Sequence, residues 1–241
     1  MAGILFIISA PSGSGKSTLV SKVRSLVDNL EFSVSYTTRS PRGSEQQGHD
    51  YHFTDRRTFE HMIAENEFLE HAEVFGNYYG TALQTLRDAE CRGKDLLLDI
   101  DVQGAAQVRK KIPDAVSIFV MPPTKDVLAA RLRQRSCAEG GITAETEKII
   151  ERRLAQARGE IVNYRQYGYI LVNDILDHAV EELAAIVSSE RIRRGGREQN
   201  PEERSLIELA ESCRQTQVMA QLQPVLTSFG VYDQEMVQPQ Q

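Results

Sequence analysis

The stretch Gly3-Ile-Leu-Phe-Ile-Ile-Ser9, followed at once by Ala10-Pro11-Ser12-Gly13-Ser14-Gly15-Lys16-Ser17, decides how the whole chain is read. Its first seven residues are short, continuous and apolar, and turn formers end them, which is the pattern of a fully buried strand. Across residues 16–28 the apolar side chains Leu19, Val20, Val23, Leu26 and Val27 recur at helical spacing. Between strand and helix lies the phosphate-loop pattern GxxxxGK[ST], with Ala10 in place of the first glycine. Glycines let backbone N–H groups curl round phosphates, Lys16 reaches the β and γ oxygens, and Ser17 offers a hydroxyl to Mg²⁺. The positive end of the helix points at the same anion. The expected phosphate cradle is therefore Ala10, Pro11, Ser12, Gly13, Ser14, Gly15, Lys16, Ser17 and Thr18. An ordinary Gly/Ser turn would not require Lys-Ser at the first helical turn after a buried strand.

Working outward, further buried strands are predicted at 95–100, 117–121 and 169–172, with helical patterns over 124–135, 143–165 and 175–194. Strands alternating with helices predict an α/β fold: a P-loop NTPase three-layer sandwich with a central parallel sheet. In Leu96-Leu-Leu-Asp99-Ile-Asp101 the two acids stand two apart, so a strand sends them out together at its carboxyl end, where open α/β sheets bind ligands. Asp99, directly after apolar residues, has the place of an acid that helps hold Mg²⁺ and its waters. Two stretches break the rhythm. Residues 34–83 are polar and rich in Gly and Tyr; residues 123–166 are helical and Arg-rich, interrupted by Ala138-Glu-Gly-Gly141. Both read as insertions able to move over a site. From Arg197 on, three arginines face seven acidic residues; Leu206, Leu209 and Cys213 suggest one amphipathic helix, and the Gln/Pro-rich end suggests disorder.

The 241 residues carry 41% hydrophobic and 26% charged side chains, a globular composition that rules out wholesale disorder or a fibrous repeat. A net charge of −6 argues against a general nucleic-acid coat, whose footprint is basic, but allows a small anionic substrate in a local basic pocket. Cys91, Cys137 and Cys213 are far apart and the five histidines are scattered, so neither a disulfide framework nor a zinc site is predicted. The run Ile4 to Ile8 is too short for a membrane span or signal-peptide core. The expected home is the cytoplasm, with no nucleic-acid or membrane partner; nothing in the sequence sets the oligomeric state.

The chain resembles the guanylate kinases. The residues that carry the resemblance are Ser33-Val-Ser35-Tyr-Thr-Thr38-Arg39-Ser-Pro-Arg42, Gly48-His-Asp-Tyr51-His-Phe53, Phe68-Leu-Glu70, Gly76-Asn-Tyr78-Tyr79-Gly80-Thr81 and Asp99-Ile-Asp101-Val-Gln-Gly104, in the family's order across roughly 4–194. It implies that Arg39, Arg42, Tyr51 and Tyr79 hold the GMP phosphate, and that Ser35, Glu70, Thr81 and Asp101 read guanine. It further implies that Arg131, Arg135 and Arg153 are lid arginines closing on ATP, with Lys16 and Arg39 beside them in catalysis, and that Asn173 lies near the adenine. Tyr78 reads as a core or hinge residue. The chain departs from the family at Ser136, where a glycine is usual, and at 137–142, which reads as a small insertion.

The chemistry is sensible on its own terms. Two arginines and two phenols can neutralise and orient a phosphate monoester. A carboxylate such as Glu70 can accept from both N1–H and N2–H of guanine; adenine has no N1–H and would leave the acid unpaired. The implied organisation is a guanylate kinase-like domain over 1–195 (core 1–33, 84–122 and 167–195; a GMP-binding α+β insertion at 34–83; a helical lid at 123–166). A C-terminal extension over 196–241, partly helical or disordered, follows. The implied activity is ATP-dependent, Mg²⁺-assisted phosphorylation of GMP and dGMP. Two rivals share the scaffold. A ribose 1,5-bisphosphate kinase has no use for guanine readers, and a non-catalytic guanylate-kinase-like module lacks a working P-loop.

Overall fold

The apolar run at the start forms the strand its composition predicts, β1 (Leu5–Ser9), every residue buried. A computed structural model describes residues 3–139, 141–196 and 199–232. After β1 come α1 (Lys16–Leu26), β2 (Leu30–Phe32), β3 (Tyr36–Thr37), β4 (His52–Phe53), α2 (Arg56–Ala64), β5 (Phe68–Val74), β6 (Asn77–Ala82) and α3 (Leu83–Cys91). There follow β7 (Asp95–Asp99), α4 (Val102–Lys111), β8 (Val116–Met121), α5 (Lys125–Glu139), α6 (Ala144–Ile161) and a 3-10 turn (Val162–Gln166). The chain then continues through β9 (Tyr169–Val172), α7 (Leu176–Gly195), α8 (Pro201–Ser212) and α9 (Met219–Ser228). It divides into two compact units, residues 1–9 with 24–118 and residues 10–23 with 119–241; β8 runs from one into the other. The main sheet has the order β2-β7-β1-β8-β9.

In the first unit β7 pairs in parallel with β1, Leu5 against Leu96 through Ile8 against Asp99, and in parallel with β2 on its other side. Leu96, Leu97 and Leu98 are all buried, as a strand covered on both faces requires. Asp95, buried at the start of β7, accepts the N–H of Ile4 at 2.7 Å. The 34–83 stretch folds into a second sheet of order β4-β3-β6-β5, with α2 started by Asp55, whose carboxylate accepts the Thr58 N–H. β7 ends at Asp99 rather than at residue 100. Asp101 does not share a strand face with it: its side chain caps α4, accepting the Gly104 N–H at 2.9 Å.

In the second unit, the helical pattern at 143–165 resolves into α6, opened by a Thr143–Thr146 capping box, and the 3-10 turn after it. α5 runs four residues beyond the expected end at 135, through the departure at Ser136, and the Gly141 N–H closes onto the Ser136 carbonyl. The described part of the tail holds two helices instead of one. Asn200 and Glu203 cap each other at the start of α8, with Pro201 in the first helical position. Leu206 faces solvent, while Ala210 and Cys213 turn inward. Residues 233–241, where disorder is expected, lie outside the described residues.

The turn after α8 pairs with β9, the end strand of the sheet. Ile170 N–H donates to the Cys213 carbonyl at 2.8 Å and Gln215 N–H to the Gly168 carbonyl at 3.1 Å. Arg214 lies 4.0 Å over the Tyr169 ring and bonds Glu190, which also accepts the Tyr169 hydroxyl. The tail thus covers a sheet edge that would otherwise expose unpaired backbone groups. On α9, Leu222, Val225 and Leu226 are buried. Leu222→Ala is expected to cost about 2–5 kcal/mol, lowering the melting temperature by about 5–15 °C in a circular dichroism melt. An unchanged melt would contradict a packed tail.

Candidate active site

Each unit carries its own cluster of the expected site residues. In the second unit the phosphate loop turns at Gly13 and Gly15, whose φ angles of 92° and 87° belong to the left-handed region that favours glycine. Space demands glycine as well: a Cβ on Gly15 would lie 2.4 Å from Asn173 Nδ2, and one on Gly13 2.9 Å from a Leu132 methyl. The loop is tied down from outside. The Ser14 carbonyl accepts Asn173 Nδ2 at 2.8 Å and Arg131 Nη1 at 3.2 Å, and Arg131 Nη2 donates to the Asn173 carbonyl at 2.9 Å. Asn173 is therefore a buried brace of the loop. Its Oδ1, and the hydroxyl of Ser14, are buried with no hydrogen-bond partner.

Lys16, Ser17 and Thr18 open α1, whose first turn holds no acid to oppose an anion. Ala10 and Pro11 lead into the loop, where Ser14 N–H closes a turn on the Pro11 carbonyl. Arg135 stands one turn beyond Arg131 on α5, exposed, and Arg153 is half-buried on α6. Of the expected lid arginines, Arg131 is held against the loop by its hydrogen bonds to the Ser14 and Asn173 carbonyls.

In the first unit the centre is Glu70, on β5, 3% exposed. Two residues of β5 face one of β6 just before it, a bulge between Phe68 and Glu70, and Glu70 then stands opposite Thr81. Its Oε1 accepts the Thr81 N–H at 2.8 Å. Its Oε2 lies so near Gly104 that a Cβ there would stand 2.3 Å away, so the first turn of α4 needs a glycine to admit the carboxylate. The Thr81 hydroxyl is fully buried beside the carboxylate, Ser35 is buried at the end of the preceding loop, and Asp101 caps α4. Burial pushes the Glu70 carboxyl up to about 7; the Thr81 hydroxyl and N–H and the charge of Lys111 oppose the rise, while the negative charge of Asp101 adds to it.

The residues expected on the phosphate side lie in the same unit. Arg39, 9% exposed, bonds Glu45 through both terminal nitrogens at 2.9 Å each and the Ser40 carbonyl at 2.7 Å. Its guanidinium stands 5.3 Å from the centre of the Tyr51 ring, and Tyr51 meets Tyr79 edge-on at 6.0 Å. Arg42 is exposed, and its backbone N–H also donates to Glu45. Glu45 was not singled out from the sequence; an acid six residues after Arg39 in an irregular loop has no periodicity to reveal it. Tyr78 stacks on Phe59 at 5.2 Å and accepts Arg56, a packing role. Asp99 ends β7, half-buried.

A parallel α/β sheet whose first strand runs through a glycine-turned GK[ST] loop into a helix defines a P-loop nucleotide-binding protein. The sequence model of the guanylate kinases matches residues 3–190. Guanylate kinase from Koribacter versatilis is 53% identical over 229 residues, covering 95% of this chain and 97% of that protein. The enzyme of Nitrosospira multiformis is 47% identical over 191 residues, 79% and 88% of the two chains. The crystal structure of guanylate kinase from Anaplasma phagocytophilum superposes with a TM-score of 0.63 at 30% identity, covering 96% of this chain and 98% of that one. The chain belongs to the guanylate kinase family and is an enzyme of it.

The raised Glu70 carboxyl has a consequence for stability. Its folded value of about 7 exceeds the unfolded value of 4.5, so its contribution is fully present below pH 4.5 and is lost as pH rises through 7. Glu70→Gln has no such loss. Between pH 5 and pH 8 the unfolding free energy of the variant should gain about 2–3 kcal/mol relative to wild type in urea titrations. A difference independent of pH would show that this carboxyl is not desolvated.

Proposed function

We propose that this enzyme transfers the γ-phosphoryl group of ATP to GMP, giving ADP and GDP, and accepts dGMP in the same way. The observation that carries the reading is the buried Glu70 carboxylate, which accepts the Thr81 N–H at 2.8 Å beside the buried Thr81 hydroxyl and has no arginine or lysine bonded to it among the described residues. Guanine offers N1–H and N2–H to such an acid and O6 to a hydroxyl, and satisfying both relieves the cost of burying them. Arg39, Arg42, Tyr51 and Tyr79 are assigned to the phosphate of GMP, and Ser35 and Asp101 join Glu70 and Thr81 on the base. None of these assignments reaches the sugar 2′-hydroxyl, which is why the deoxynucleotide is included.

ATP is assigned to the second unit: Ala10 to Thr18 cradle the phosphates and Asn173 lies beside the adenine. An oxygen of the GMP phosphate, already an anion, attacks the γ-phosphorus as the bond to the β–γ bridging oxygen breaks and ADP leaves. No general base is needed. Lys16, Arg39, Arg131, Arg135 and Arg153 offset the charge on the transferring group, and closure of the 34–83 and 123–166 segments excludes water. The Ser17 hydroxyl and the Asp99 carboxylate are hard oxygen donors, the chemistry Mg²⁺ prefers, and when bound the ion neutralises charge on the β and γ phosphates.

We place the enzyme in the cytoplasm, in purine nucleotide metabolism and the recycling of GMP, as a body of residues 1–195 followed by an extension. Among the described residues no helix is long and apolar enough to cross a membrane. Lys16→Ala is expected to lower kcat by about 10³-fold or more in an ADP-release assay. GMP binding, followed by calorimetry, should be retained within about twofold. Undiminished turnover would remove the loop from the mechanism.

A further inference from the structure

β5 is an end strand of its sheet, and among the described residues its outward backbone groups have no neighbouring strand to meet. The helix α4 lies along that edge and supplies the missing partners from its side chains. Gln107 uses both ends of its amide on one residue: Nε2 donates to the His71 carbonyl at 2.6 Å and Oε1 accepts the His71 N–H at 3.2 Å. Lys111 Nζ donates to the Leu69 carbonyl at 2.5 Å. Gln103 Nε2 reaches the Glu73 carbonyl at 3.5 Å while bonding Asp101 at 3.1 Å.

The spacing explains why a helix can do this. Four helical residues rise about 6 Å and two strand residues advance about 6.6 Å, so positions 103, 107 and 111 run nearly in step with 73, 71 and 69. The side chains form a surrogate strand. Glu70 sits between the two rungs made by Gln107 and Lys111, immediately after a bulge, where a ladder is otherwise disrupted. The same helix supplies the glycine that admits the carboxylate, Gly104, and it begins at Asp101.

We propose that Gln107 and Lys111 are positioning residues for base selection: by gripping the backbone of β5 on both sides of Glu70, they fix where its carboxylate meets the substrate base. This rests on the reading of Glu70 as the group that accepts from guanine. Neither residue touches the nucleotide in this role. What they set is the direction of two hydrogen bonds, so their loss is felt most by the substrate that uses both.

The test compares GMP with inosine monophosphate, which keeps N1–H but lacks the 2-amino group, at pH 8 with saturating Mg·ATP. In wild type, kcat/KM should favour GMP. In Gln107→Met the KM for GMP should rise about tenfold, the loss of one to two hydrogen bonds, and the GMP preference should shrink by a similar factor. The KM for ATP should stay within about twofold. Lys111→Met should behave likewise, and Lys111→Arg, which keeps the donor and the charge, should restore the wild-type preference. A purely structural role would lower both acceptors by the same factor, and that result in the two methionine variants would overturn the proposal. If wild type itself showed no preference for GMP, the reading of Glu70 would fall instead. Should Gln107→Met fail to fold, the Lys111 pair decides alone.

Discussion

A carboxylate taken out of water must find hydrogen-bond donors or give up its charge, and around Glu70 much of the first unit is arranged to meet that demand. One oxygen receives the Thr81 N–H across the β5–β6 ladder, and the other is admitted only because Gly104 has no side chain. The bulge sets the register that puts Glu70 opposite Thr81, and the side chains of α4 hold the strand on its open edge. The result is an acid pushed up to about 7, near neutrality. Under the proposed assignment of Glu70 to guanine, selectivity follows from the same demand, since a base lacking N–H groups at those places leaves the acid buried and unsatisfied.

The second unit meets a different constraint, that of holding backbone N–H groups toward an anion without collapse of the loop. Left-handed glycines make the curl, and Asn173 and Arg131 hold it by bonding the Ser14 carbonyl from outside. Arg131 thereby links the phosphate loop to α5, so an arginine assigned to the lid also touches the cradle that it serves. The tail belongs to this unit too, and by pairing with β9 it protects the far edge of the sheet.

How much of this was legible in the sequence depended on how local each cause is. β1, the loop and α1 are set by residues within a few positions of one another, and their pattern names them. Asn173 stood out as a residue, but its hold on Ser14 spans the chain and only the fold brings the two together. The two-residue strands β3 and β4 are too short to carry any periodicity. Arg39 was read as a phosphate ligand, yet its bidentate partner Glu45 lies in an irregular loop and gave no signal. In the tail the apolar spacing at 206, 209 and 213 pointed to a helix, but it is Ala210 on α8 and Cys213 just after it that are buried, while Leu206 lies in water. Gln103, Gln107 and Lys111 look like an ordinary polar helix face until the open edge of β5 is seen beside them.

The most direct measurement is a coupled ADP-release assay on the wild-type chain with Mg·ATP and a panel of acceptors: GMP, dGMP, AMP, UMP, CMP, dTMP and ribose 1,5-bisphosphate. A buried acid that must be paired predicts that GMP and dGMP exceed AMP by about 10³-fold or more in kcat/KM. Comparable turnover of AMP, or preference for the sugar bisphosphate, would contradict the assignment of Glu70 and its neighbours to guanine.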